Sequence, residues 1–198
     1  MDQVEKLVCE LEEYRPYNEQ EMRDRALVLA RLRAARRAGE DALEDLFGRA
    51  DPAHMTASAW VVSPDRSKVL MAYHNVYQSW AWLGGHADGE CDLRAVALRE
   101  VREESGLAGA RIVGPDMLSV EVLCVDGHEK RGEYVSSHLH LNVTYLVEAD
   151  PDEPVRVKPD ENSSIGWLTP AEALAASTEP WFVERIYAKL VAKTAAMR

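Results

Sequence analysis

Residues 84–107 read GGHADGECDLRAVALREVREESGL. Two glycines open the stretch, a third (Gly89) follows in a polar loop, and helical spacing takes over from about Cys91 or Asp92. Gly84, Gly85 and Gly89 supply backbone angles for a sharp turn between a strand and a helix. Asp92 suits the N-cap or first turn, where its charge favours the helix dipole. Ala97, Leu98 and Val101 form an apolar face expected to pack on a sheet, and Gly106 supplies a left-handed stop. Glu100, Glu103 and Glu104 are related as i, i+3 and i+4 and share the adjacent face. Such a face is either solvated or holds a cation. An all-oxygen donor set suits a hard divalent ion, Mg²⁺ above others, in company with substrate phosphates. Arg99, four residues before Glu103, is expected to pair with it and fix the carboxylate.

The spacing of these residues resembles the signature box of the Nudix hydrolases, G-x5-E-x7-R-E-U-x-E-E-x-G-U, with U aliphatic. Gly85 matches the first glycine, Arg99 and Glu100 the R-E pair, and Val101 the first U. Glu103 and Glu104 match the E-E pair, Gly106 the second glycine and Leu107 the last U. One position departs: Cys91 stands where the pattern has its first glutamate, with Glu90 one residue earlier. In the family that glutamate supports the loop, so the departure bears on loop geometry, and Asp88, Glu90 or Asp92 could substitute.

The resemblance implies the family's α/β/α sandwich with a mixed sheet over residues 52–198, preceded by a helical extension over residues 1–51. It further implies a pyrophosphohydrolase. Glu100, Glu103 and Glu104 would bind Mg²⁺, with Mn²⁺ as an alternative ion, and Arg99 would orient them. Water would attack phosphorus in the diphosphate of a nucleoside diphosphate derivative or a nucleoside triphosphate. The catalytic set is Arg99, Glu103, Glu104 and Glu161, the general base being Glu104 inside the box or Glu161 in the later loop PDENSSIGW.

Composition sets outer bounds. The chain has 198 residues, 46% of them hydrophobic and 29% charged, with a formal net charge of -11. These are the proportions of a globular protein, and the acidic balance argues against a nucleic-acid polymer as partner. A small anionic substrate stays compatible with it, because a metal supplies positive charge locally. Three widely spaced cysteines, Cys9, Cys91 and Cys124, give no disulfide framework or zinc pattern. No apolar run reaches the roughly 18 residues of a membrane span, so a cytoplasmic setting is expected, and a homodimer stays open.

Outside the box, Val4, Leu7, Val8 and Leu11 mark an amphipathic helix over 2–14. A second helix is expected from Glu19 to Ala38, with Asn18 as N-cap and Glu21 completing a capping box. Its expected apolar stripe is Met22, Ala26, Leu27, Ala30 and Leu32, and its six arginines read as a solvated face. A short helix follows over 40–47. HMTASAWVVS and KVLMAYH, divided by SPDRS, read as two strands, and SWAWLG as one short strand. Further strands are expected at 110–113, 117–125, 138–148 and 166–169. Thr169 is a candidate N-cap for PAEALAA, and a last helix spans 179–196. This order of elements means α+β or mixed α/β.

The six histidines offer a second theme. His138 and His140 are i, i+2 on one strand and face the same side, and His86 sits in the box loop. Together with Gly85 they are candidates for binding substrate phosphates; a histidine-zinc site is compatible with the spacing, but the adjacent glutamates favour a hard ion. His54, His74 and His128 carry no argument. Trp80 and Trp82 share a face and either stack on a base or fill the core. A different function class is a non-catalytic Nudix-fold ligand sensor or interaction module. Such domains lose box glutamates, whereas all three candidate ligands are present here.

Overall fold

Three helices lead into the sheet in the computed structural model, which describes residues 2–130 and 132–197. They are α1 (Gln3–Glu13), α2 (Glu19–Ala38) and α3 (Glu40–Phe47). β1 (Ala53–Val62), β2 (Val69–His74), β3 (Ser79–Ala81) and β4 (Leu83–His86) follow, then α4 (Leu93–Ser105). Next come β5 (Arg111–Ile112), β6 (Ser119–Val125), β7 (His128–Lys130), β8 (Glu133–Val135), β9 (His138–Glu148) and β10 (Asn162–Leu168). The chain closes with α5 (Pro170–Ala176), α6 (Pro180–Phe182), a π-helical turn (Val183–Tyr187) and α7 (Ala188–Ala196). The result is a mixed α/β fold with a large mixed sheet, flanking helices and a helical N-terminal extension.

The chain divides into two units, and β1, β4, β9 and α4 each run through both. One holds the chain up to Ala57, Gly85–Val96 and Ser119–Val143; the other holds Ser58–Gly84, Ala97–Leu118 and the chain from Thr144 on.

In the first unit α2 packs on β6 and on its neighbours α1 and α3. Leu11, Leu32, Leu46, Phe47 and Met55 are fully buried there. Burying a side chain of this kind contributes about 1.5–3 kcal/mol. Asn18 caps α2 by accepting the Glu21 N–H at 2.9 Å. Glu21, however, does more than complete a capping box. It is wholly buried, accepts from the Tyr17 N–H, and takes the Ser119 hydroxyl at 2.7 Å. The buried stripe of α2 is accordingly Glu21, Val28, Leu29, Leu32 and Ala35. Met22 and Leu27, expected inside, are 49% and 42% exposed. The arginines of α2 are largely occupied by neighbours: Arg23 pairs with Glu19, Arg31 with Asp51 and Arg33 with Glu12. The hairpin of β7 and β8 had no counterpart among the expected strands.

In the second unit the strand order is β10-β2-β1-β9-β5, with β3 also on β2. Val62 faces Val69 across the turn, and Ile165, Gly166 and Trp167 register with Ala72, Met71 and Leu70. Trp60, Leu70, Met71, Leu83, Tyr145 and Tyr187 form the buried centre. SWAWLG is two strands rather than one, broken at Trp82. The indole of Trp82 meets Tyr187 edge-on at 5.7 Å, and Trp80 meets Tyr73 at 6.1 Å. Trp82 thus serves the core, the commoner use of such residues. Thr169 forms a full capping box with Glu172. The last helix is interrupted by the π-helical turn, a local widening that spacing alone does not announce.

Candidate active site

The residues of the opening stretch divide between a loop and a helix. In the loop, positive φ falls at Asp88 (51°) and Gly89 (88°), while Gly84 and Gly85 lie within β4. The turn is therefore made later than the glycine pair. It is pinned by the Gly89 N–H, which donates to Phe47 O at 2.9 Å, and by Arg49, which grips both oxygens of Asp88 at 2.6 and 2.8 Å. Asp92 Oδ1 accepts the N–H groups of Arg94 at 3.0 Å and Ala95 at 3.3 Å, the work of an N-cap. Glu90 in turn accepts the Asp92 N–H at 2.8 Å. Cys91 Sγ contacts Gly89 O at 4.0 Å. Glu90, one residue early, thus braces the loop beside Cys91.

The second half of α4, with its partners in the same unit, carries the acids. Gly106 ends the helix at φ 78°, its N–H donating to Arg102 O at 2.9 Å. Ala97 and Val101 are fully buried. Glu100 and Glu104 are buried as well, at 7% and 4% exposure, and Glu103 is open. Arg99 lies nearer Glu100 (2.9 Å) than Glu103 (3.9 Å), so the expected i, i+4 pair is the looser of the two. Glu104 Oε1 accepts the Gly84 N–H at 2.9 Å. Lys158, which no sequence pattern marks, bridges Glu103 at 3.3 Å and Glu161 at 3.0 Å. Its loop is held at both levels: Asn162 Oδ1 accepts the Lys158 N–H within it, and the Asn75 N–H, just after β2, donates to Glu161 O at 2.9 Å. Arg99, Glu100, Glu103, Glu104 and Glu161 thereby gather in one electrostatic group.

The charges act on one another. Burial pushes the Glu104 carboxyl up to about 8; Glu100 and Glu161 add to the rise, and the Gly84 N–H and Lys158 oppose it. Glu100 is also raised, by burial first, with Arg99 opposing. Burial works against the Lys158 charge, but Glu161 and Glu103 outweigh it and its pKa rises. A cluster of this kind has an unmet demand for positive charge, the condition a divalent cation relieves. Glu100, Glu103 and Glu104 offer only oxygens, the donor type suited to Mg²⁺ or Mn²⁺, but among the described residues the ligand atoms gathered closely enough to hold an ion are those of four histidines.

The remaining predicted residues, Gly85, His86, His138 and His140, lie in the first unit. There the three histidines surround His54, whose ring centre is 5.1, 5.0 and 5.2 Å from those of His86, His138 and His140. His54 had no assigned role in the sequence. It belongs to the group because the Leu139 N–H donates to Pro52 O and the Ala87 N–H to Met55 O, setting His140 and His86 beside it.

A family model described as NUDIX domain matches residues 52–190. No curated relative matches significantly. Among solved structures, the chain is similar to a Nudix hydrolase from M. smegmatis, RenU, at 15% identity and a TM-score of 0.54, covering 73% of this chain and 88% of that one. It is also similar to an Ap4A hydrolase from C. elegans, at 18% identity and a TM-score of 0.51, over 72% and 96% of the two chains. A NUDIX-family hydrolase from Clostridium perfringens matches at 18% identity and a TM-score of 0.51, over 73% and 98%. At these identities the likeness is one of fold.

Proposed function

The chain belongs to the Nudix family, and from that premise we propose that it is a Mg²⁺-dependent pyrophosphohydrolase. Its substrate would be a nucleoside diphosphate derivative or a nucleoside triphosphate, cleaved at the diphosphate by water attack on phosphorus. The observation that carries this reading is the convergence of Arg99, Glu100, Glu103, Glu104, Lys158 and Glu161 around one end of α4. Mg²⁺ held by Glu100, Glu103 and Glu104 would supply charge for the phosphate oxygens and a more acidic water.

The chain's own residues would do the rest. Arg99 keeps the Glu100 carboxylate oriented. The Gly84 N–H fixes one oxygen of Glu104 and leaves the other to act. Lys158 relieves repulsion between Glu103 and Glu161 and would offer its ammonium to a phosphate oxygen of the substrate. The proton of the attacking water would go to Glu104 or Glu161. Comparing Glu104→Gln with Glu161→Gln separates them: the base is the one whose loss removes the acidic limb of the pH–rate profile.

The test is release of nucleotide or phosphate from sugar nucleotides, dinucleoside polyphosphates and oxidised triphosphates, with Mg²⁺, for wild type and Glu103→Gln. Turnover by the wild type, with a drop on the order of 10²-fold in the variant, is expected. Equal activity in the two proteins would sink the mechanism. No turnover on any diphosphate, with tight binding of a small molecule instead, would favour the sensor reading.

A further inference from the structure

A second convergence of donor atoms lies wholly within the first unit and contains no carboxylate. One ring nitrogen from each of His54, His86, His138 and His140 lies within 4.8 Å of all the others. We propose that these four imidazoles form a binding site for a borderline divalent transition ion, Zn²⁺ in the first instance, separate from the acidic cluster of α4.

Three strands build the site. His54 is on β1, His86 ends β4, and His138 and His140 point to one side of β9 by the two-residue period of a strand. β4 and β9 both pair with β1, which brings the four side chains together. The site is thus formed on paired backbone rather than on a loose loop.

The ring nitrogens are set for coordination. His54 Nδ1 contacts Asp51 O at 2.8 Å, and His138 Nδ1 contacts Ser136 O at 2.8 Å. A carbonyl only accepts, so each Nδ1 carries the proton and each Nε2 presents a lone pair. This backbone anchor is the usual second support of a metal-bound histidine. His54 Nε2 is buried, with no hydrogen-bond partner among the described residues, in a residue only 4% exposed. A buried polar atom left in that state costs about 1–3 kcal/mol unless something occupies it. His138 Nε2 and His140 Nε2 are 3.1 Å apart. Tetrahedral zinc with Zn–N near 2.0–2.1 Å separates its nitrogens by about 3.4 Å. An ion therefore fits between this pair in place of the single proton that now joins them, and that proton passes to His140 Nδ1 or to water.

Charge favours a cation over a phosphate. A phosphate is held by donated protons, but the Nδ1–H groups of His54 and His138 are already given to Asp51 O and Ser136 O. The nearby guanidinium of Arg49 is held bidentately by Asp88. Neutral imidazoles without a carboxylate select Zn²⁺, Ni²⁺ or Cu²⁺ over Mg²⁺. All four rings are metal ligands in this proposal, in place of the phosphate-binding role that the sequence left open for three of them.

The experiment uses the full chain without a histidine tag, stripped with chelator and then dialysed against Zn²⁺ or Mg²⁺. Elemental analysis should find one equivalent of Zn²⁺ per chain in the wild type and in Glu103→Gln. Affinity should fall about 100-fold or more in His54→Ala and in the double variant His138→Ala/His140→Ala, beyond the loss typical of an outer-sphere change. Cobalt substitution provides a readout independent of those variants' folding. Visible bands of a four- or five-coordinate nitrogen site support the proposal, and the spectrum of the hydrated ion overturns it. Zn²⁺ retained equally by the histidine variants, or binding of inorganic phosphate with no Zn²⁺ retained, also overturns it. Because Glu103→Gln keeps its Zn²⁺ in the expected result, failure of the Mg²⁺ mechanism and failure of this site are read separately.

Discussion

The acids of α4 and the histidines of β1, β4 and β9 are two ways of assembling a donor cluster. Glu100, Glu103 and Glu104 are brought together by one helix, and their spacing is set within five residues. The histidines span residues 54 to 140 and meet only because three strands pair in one register. The first cluster is crowded with charge and partly quenched by Lys158 and Arg99. The second holds imidazole rings, two of which, His54 and His138, donate an Nδ1 proton to a backbone carbonyl. Local assembly gathers hard, anionic donors, and long-range assembly gathers borderline, neutral ones. Chemistry and chain topology thus differ together.

The comparison breaks most sharply at Glu104. Glu104→Gln keeps an acceptor for the Gly84 N–H but removes the charge, so kcat should fall on the order of 10²–10³-fold with the thermal midpoint little changed. Steady-state kinetics beside a melting curve check this; a collapse in stability without a specific loss of turnover would recast Glu104 as purely structural.

Next in size is the response to metal. Zn²⁺ at 100 times its dissociation constant should stabilise the wild type by about 2.7 kcal/mol, or roughly 5–10 °C for a domain of this size. His54→Ala should abolish that gain, while Mg²⁺ should give no such rise through the histidines.

Acid should separate the clusters further. In the unfolded chain His54 and His140 titrate near 6.5, but in the folded, metal-free chain both are held lower. Below pH 6.5 the unfolded state therefore binds protons that the native state refuses, and stability falls as pH drops. His140 alone should contribute roughly 1 kcal/mol of loss between pH 7.5 and 5.5. Urea midpoints at the two values should show it, and His140→Asn should flatten the slope.

The smallest effect tests the loop. Cys91→Ala should change stability by less than about 0.5 kcal/mol, whereas Glu90→Ala, which frees the Asp92 N–H, should cost about 1 kcal/mol. The reverse order in denaturant titrations would return the bracing role to position 91.

Legibility followed sequence separation. The Asp92 cap, the shared face of the glutamates and the Gly106 stop are relations of a few residues, and helical geometry alone fixes them. β9 was readable over its full length from alternation. The stripe of α2 departs from simple periodicity because Glu21, an acidic side chain, occupies a core position by bonding Ser119, nearly a hundred residues away. Leu27 consequently turns outward. Lys158 escaped notice because its value depends on Glu103. His54 escaped because a lone histidine on a strand is unremarkable until its neighbours across the sheet are known.

By itself the sequence determined the family, the fold class and the helix that concentrates three carboxylates, since periodicity and glycine placement act over short range. Only the tertiary structure decided which carboxylates are buried, where Lys158 stands and that four histidines share one space. Desolvation and strand register arise from contacts between distant segments, and no local pattern encodes them.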